Sequence, residues 1–298
     1  MRQTHIYDNA AMCACGTASV ARPGMLWDKQ AVTERSYDLA SLANLNEGVR
    51  IRLGSITARK KAQTQYGAVV RAMLREIRAA IASDVIEGYR TRDALVSDSM
   101  TTDALADWFL IFAGLRERVT QNALRRIGQI LTGESRRHTE RWTAVIQSQI
   151  NVDLSNVVRQ EALDNYLDAV ALRQAGLITG IFDDTVRNVA NLTQRAVLGN
   201  LSVNDLRRQI QERLQISTRR ANNIARDQVA TLTSELNHIR QEQAGVTMYE
   251  WSASGDGRVR DLHEEYDGNI YAWARPPRDG HPGVAINCRC VAIGILEV

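Results

Sequence analysis

Proline is almost missing from this chain: Pro23 is followed by none until Pro276, after which Pro276, Pro277 and Pro282 fall within seven positions. An internal proline removes a backbone donor and clashes with the preceding helical turn, so the long gap leaves room for uninterrupted helices. Lysine is scarce as well, at three of the 37 basic residues (Lys29, Lys60 and Lys61). The rest are arginines, whose planar fork pairs with carboxylates or phosphates and suits contacts between subunits as well as DNA. The net charge of +3 is too mild to announce nucleic-acid binding, and solvated helix faces laced with ion pairs are the ordinary reading. No apolar run approaches the roughly 18 residues of a membrane-spanning helix. Residues 1–24 lack the basic segment and apolar core of a secretory signal, so synthesis in a cytoplasm is expected. Cysteines number four, in two Cys-x-Cys pairs, Cys13/Cys15 and Cys288/Cys290. In a cytoplasmic protein such pairs point to a metal or to free thiols more than to a disulfide framework.

What is present is helical periodicity. A length of 298 residues suggests about two domains at roughly 150 residues each. Residues 1–30 are small, polar and broken by Pro23-Gly24, and read as a flexible N-terminal arm. Over 31–245 the pattern predicts an elongated helical body. Tyr66, Val70, Met73, Ile77 and Ile81 make one apolar stripe, and Leu105, Trp108, Phe112, Leu115 and Val119 repeat the spacing, extended by Leu124, Ile127 and Leu131. Trp142, Val145, Ile146 and Ile150 are expected to begin a further segment, followed by Val157, Val158, Leu163, Tyr166 and Val170. These stripes read as bundle core. Ser202 is placed to cap a helix carrying Leu206 and Ile210. Ser217 is expected to open the next helix, with Ala221, Ala225, Val229, Leu232, Leu236 and Ile239 on one face and Gly245 as its left-handed end.

The stretch 246–298 changes character. Its Gly, Pro and Asp punctuation specifies a small α+β module: a strand at Tyr249-Glu250-Trp251, a loop at Gly255-Asp256-Gly257, a short helix over 258–266, a turn at Asp267-Gly268, a strand over 269–273 and a final strand at Val291, Ile293 and Ile295. The fold class expected is therefore mainly α, an elongated helical body followed by this C-terminal module.

The string Tyr249-x-Trp251, Asp256-x-Arg258-Val259-Arg260-x-x-His263, Asp267-Gly268, Pro276-Pro277, and Pro282-Gly283 through Asn287-Cys288-Arg289-Cys290 resembles the Mu F-like minor head proteins of tailed bacteriophages. The resemblance runs from about 200 to 294 and includes Ser202-x-x-Asp205-Leu206 and Ile224-Ala225-Arg226. It implies a minor capsid protein of head morphogenesis that is structural rather than enzymatic. The implied protein is made in the host cytoplasm and resides in the virion in multiple copies. The implied partners are the portal protein, the major capsid or scaffold proteins, and phage DNA during packaging or delivery.

Two pieces of chemistry remain to be placed. Asp256 is suited to accept from the following turn and to pair with Arg258. His263, His281, Cys288 and Cys290 form a candidate zinc set, since two thiolates and two imidazoles satisfy a closed tetrahedral site and a metal would stabilise a module with little core. Where some members of the family carry Cys-x-x-Cys, this chain has Arg260-x-x-His263, with His263 on the second ligand position. An alternative makes His263 the general acid/base of a nuclease-like enzyme, with Asp261, Glu264 or Arg258 beside it. A third reading is a DNA-binding accessory protein. The five arginines and eight acids of 246–298 argue against phosphate gripping by this end, and favour the arginine-rich body for any DNA contact.

Overall fold

The computed structural model describes residues 37–95, 102–158, 163–199 and 201–298. The expected arm over 1–30, with Cys13 and Cys15, lies outside them, as do the side chains of Leu105 and Trp108. The protein is mainly α with a small C-terminal α+β module. In chain order the elements are α1 (Leu39–Leu42), β1 (Arg50–Arg52), α2 (Lys60–Ala80), a π-helical stretch (Ile81–Ile86), α3 (Glu87–Leu95), α4 (Thr102–Ile150), α5 (Asp164–Leu198), α6 (Val203–Gln243), β2 (Met248–Ser252), α7 (Asp261–Tyr266), β3 (Ile270–Ala272) and β4 (Val291–Glu297). At 1.5 Å per residue, α4 alone extends about 74 Å. Among the described residues no helix is long and apolar enough to cross a membrane.

The stripes pack as expected. Tyr66, Val70, Met73, Ile77 and Ile81 of α2 and its π continuation meet Phe112, Val119, Ile127 and Leu131 of α4, Ile178 and Val189 of α5, and Leu206 through Ile239 of α6 in one apolar cluster. The wider turn of the π-helix keeps Ile81, Val85 and Ile86 on the buried side. Just beyond it, the Tyr89 hydroxyl donates to the carbonyls of Ala196 and Leu201.

Two expected breaks are not there. Trp142, Val145, Ile146 and Ile150 end the long α4 rather than begin a new segment. Gly128 and Gly133 cost that helix some stability but do not stop it, and no proline intervenes. Ser217 does not open a helix: its hydroxyl bonds back to the Arg213 carbonyl four residues earlier, and α6 continues past it. The buried positions Leu206, Ile210, Leu214, Ala221 and Ala225 stay in phase through the site of the expected break. The α6 ends are as read. The Ser202 hydroxyl accepts from the Asp205 amide, and Gly245, at φ +79°, closes the helix with Gly245 N–H to the Glu242 carbonyl and Val246 N–H to the Gln241 carbonyl.

The sheet is antiparallel with strand order β1-β4-β2-β3. β2, β3, β4 and α7 fall where the sequence placed them. β1 had no signal in the sequence; its Arg52 sits opposite Ile295. Arg52 also reaches across β4 to hold Glu250 with two hydrogen bonds of 2.8 and 2.9 Å. Beneath this edge a second apolar cluster joins Leu39, Leu53, Ile56, Trp142, Ile146 and Leu296.

Candidate functional site

The site begins with a strand entry. Cys288 and Cys290 lie on the extended segment feeding β4, where side chains alternate with a period of two, so both thiols point inward and Arg289 points out. Arg289 is fixed there by a two-pronged pair with Asp256. Asp256 also accepts from the Arg258 amide at 3.2 Å and from the Arg258 guanidinium at 3.1 Å. Arg289, aided by Arg258, holds the Asp256 carboxyl well below the usual carboxylate range. The expected Asp256–Arg258 pair is therefore real but secondary, and Arg289 is the partner that aligns the cysteine segment. Arg260 takes neither role, donating instead to the Ile286 carbonyl at 2.8 Å.

His263, on α7, is 2 % exposed and covers the thiols. Its Nδ1 lies 3.6 Å from Cys288 Sγ and 3.5 Å from Cys290 Sγ. Its Nε2 lies 2.7 Å from Asp279 Oδ2. A carboxylate only accepts, so Nε2 carries a hydrogen and Nδ1 is the ring nitrogen that faces the sulfurs. The Gly283 amide donates to Cys288 Sγ at 3.3 Å. Cys288 is pulled below the ordinary thiol value, chiefly by its hydrogen bond with Cys290 against the effect of burial, whereas Cys290 is pushed up by the same bond. Trp251, fully buried, stands edge-on to His263 at 5.0 Å. Its indole N–H meets no acceptor in hydrogen-bond geometry, yet lies near enough to Cys290 to favour the thiolate.

Three of the four expected ligands are thus together, and among the described residues His263, Cys288 and Cys290 are the group whose ligand atoms all lie within 4.8 Å of one another. His281 is elsewhere. The chain reverses through Gly280 and Gly283, at φ +82° and +84°, and carries His281 toward Tyr249, whose hydroxyl is 3.0 Å from His281 Nδ1. There its ring also meets Trp273 at 4.8 Å and His238 at 5.0 Å.

The remaining expected residues hold the module's turns. Asp267 accepts from the Ala253 amide at 2.7 Å, and Gly268, at φ +76°, donates to the Trp251 carbonyl. The Pro282 carbonyl accepts from the Ser234 hydroxyl of α6. Asn287, at φ +57°, gives its amide to Asp227 of α6 at 2.7 Å. Gln241 donates to the Ala292 carbonyl and accepts from the Trp273 indole, both at 3.2 Å. A Cβ on Gly294 would stand 2.8 Å from Gln241 Oε1, so the glycine lets β4 approach the helix. The α6 partners Asp227, Ser234 and Gln241, and Asp279 on the module, were not singled out from sequence. Only Asn287 carried a usable signal, since asparagine tolerates the left-handed region. Between α6 and the cysteines lies a cavity of about 230 Å³, lined by Thr57, Gln63, Ser234, Asn237, Cys288 and Cys290 among others.

Compared with known proteins, residues 187–293 match the family described as Phage Mu protein F like protein. Over that span the chain is similar to the Mu F-like family. The matched span runs from the later part of α5 through α6 and the module into β4, so the Mu F-like region is the helix together with the sheet that docks on it. An uncharacterized protein of Haemophilus influenzae is 36% identical over 172 residues, which make up 57% of this chain and 38% of that protein. The chain therefore aligns with well under half the length of that relative. No solved structure matches it.

Proposed function

We propose that the protein is a structural head-morphogenesis protein of a tailed bacteriophage, a minor capsid component that acts at the portal vertex or in the procapsid interior and assists DNA packaging or delivery. The observation that carries this reading is the Mu F-like match over 187–293. The geometry supports it. The module is joined to α6 through Asp227, Ser234 and Gln241, which makes a stiff helix-plus-sheet unit suited to docking among other subunits. The catalytic alternative needs His263 to reach a substrate, and the ring is buried with both nitrogens turned toward protein groups. Portal and capsid or scaffold proteins are the proposed partners, with several copies of the chain per virion.

The test is to tag the chain, co-express it with the head genes of its phage, isolate procapsids and reconstruct them. Density for the chain in contact with portal or capsid is expected, as is co-purification of those proteins. Procapsids that assemble and package normally without the chain, and that bind none of it, would overturn the proposal. His263→Ala separates the structural from the enzymatic reading. The structural reading expects failed incorporation with no associated turnover, and loss of a phosphodiesterase activity in a folded, incorporated variant would refute it.

A further inference from the structure

We propose that His263, Cys288 and Cys290 bind a zinc ion, through His263 Nδ1 and the two sulfurs, with Asp279 fixing the imidazole from behind. The argument is geometric. Tetrahedral zinc takes imidazole nitrogen at about 2.0–2.1 Å and thiolate sulfur at about 2.3 Å, which sets nitrogen and sulfur about 3.6 Å apart. The two observed separations, 3.6 and 3.5 Å, are the edges of that tetrahedron. A hydrogen-bonded trio, with one thiol bonded to Nδ1 and the other to sulfur, requires only one short Nδ1–sulfur approach, whereas both sulfurs stand at the ligand spacing.

The surroundings are those of a metal ligand set. The Asp279–His263 bond sets the tautomer that leaves Nδ1 free to ligate, the carboxylate–histidine–metal arrangement that orients ligating imidazoles. The Gly283 amide donates to Cys288 Sγ, and the buried Trp251 indole N–H, with no acceptor of its own, lies beside Cys290. Each sets an N–H beside a sulfur in a place where an isolated negative charge would be costly. Zinc removes that cost: two thiolates balance its charge, and the neutral imidazole completes an uncharged buried centre.

Among the described residues no fourth His, Cys, Asp or Glu joins the group, so a water completes the coordination. The cavity beside the two cysteines has room for one. The ion would tie α7 to the segment feeding β4, a cross-link between two pieces of a module whose own apolar cluster is small.

The experiment uses the full chain, purified without chelator. Elemental analysis should give about one equivalent of zinc, lost in C288S/C290S and in H263A, and kept in C13S/C15S, which removes the other Cys-x-Cys pair. The cobalt(II)-substituted protein should show sulfur-to-metal charge transfer and the intense visible bands of a tetrahedral ion. D279N, at a half-exposed position, should keep the equivalent but hold it about 10- to 100-fold more weakly in chelator competition. Circular dichroism, dominated by helices over 60–243, separates metal loss from unfolding. Substoichiometric zinc in a natively helical chain, zinc retained by C288S/C290S, or zinc lost from C13S/C15S would each overturn the assignment. So would an octahedral cobalt spectrum.

Discussion

Replacing Gly283 with alanine tests whether the module is held by its approach to α6. Gly283 sits at φ +84°, where a Cβ costs about 1–2 kcal/mol. Its Cβ would also overlap Cβ and Oγ of Ser234. Ser234 Cβ is fixed to a helix packed along its length, so the relief must come from the module, at the overpacking cost of about 1–3 kcal/mol. The strain also falls on the Ser234 hydroxyl bond to the Pro282 carbonyl and on the Gly283 amide bond to Cys288. Together the expected loss is roughly 2–5 kcal/mol. Gly255→Ala is the control: its φ is +65°, but nothing lies within 4 Å of the added Cβ, so it carries the backbone cost alone. Native-state hydrogen exchange of the β2 and β4 amides reads the local opening free energy directly, without assuming that a chain of this size unfolds in one step. Protection in G283A should fall at least about 30-fold, and in G255A distinctly less. Equal losses in the two variants would show that contact with α6 contributes nothing.

Other consequences concern the helical body. Glu235 of α6 is 3 % exposed and holds Arg173 of α5 by two hydrogen bonds of 2.7 Å and the Tyr166 hydroxyl by a third. Arg173→Met removes a half-exposed guanidinium and leaves the buried carboxylate with the Tyr166 hydroxyl, and should cost about 1–3 kcal/mol in urea denaturation; a loss below about 0.5 kcal/mol would mean the pair carries no net weight. His138, buried against Asn237 at 2.8 Å, is held neutral, its pKa lowered to about 4 chiefly by burial. The unfolded chain binds that proton more readily, so this contribution is complete above about pH 6.5 and is lost progressively as pH falls toward 4, by about 3 kcal/mol in all. In H138Q the decline of stability over that interval should shrink by the same amount, and an unchanged slope would remove His138 from the account.

The helices were legible because each buries one face, and a face repeats. Tyr66 to Ile81 and Ala221 to Ile239 are stripes that a sequence displays without any knowledge of partners. Their junctions were not legible. Ser217 has the chemistry of a cap, but whether a serine hydroxyl accepts from an amide ahead or donates to a carbonyl behind depends on whether the chain before it is already helical. Here α6 is in phase on both sides, and the hydroxyl turns back to Arg213. The metal set divides the same way. Two cysteines at period two and one histidine from the preceding helix could be put on one face by local rules. His281 could not, because its direction is decided by two left-handed glycines, Gly280 and Gly283, and by an aromatic neighbourhood assembled from α6, β2 and the β3 edge.

β1 shows the limit most plainly. Arg50-Ile51-Arg52 is three residues long, too short for alternation to stand out, and its partner Glu297-Leu296-Ile295 lies at the other end of the sequence. Yet it completes the sheet: without it β4 would be an edge, and Leu53 and Leu296 would lose part of the apolar cluster they share with Trp142 and Ile146. A stretch of about fifty residues rarely buries enough apolar surface to stand alone. This one draws on α6 through Asp227, Ser234 and Gln241, on β1 through the β4 ladder, and on α4 through the cluster beneath them. Its order is therefore a property of the chain from Tyr37 to Val298. It follows that the metal proposed for His263, Cys288 and Cys290 fastens the outer edge of a unit whose inner edge is already fixed by α6.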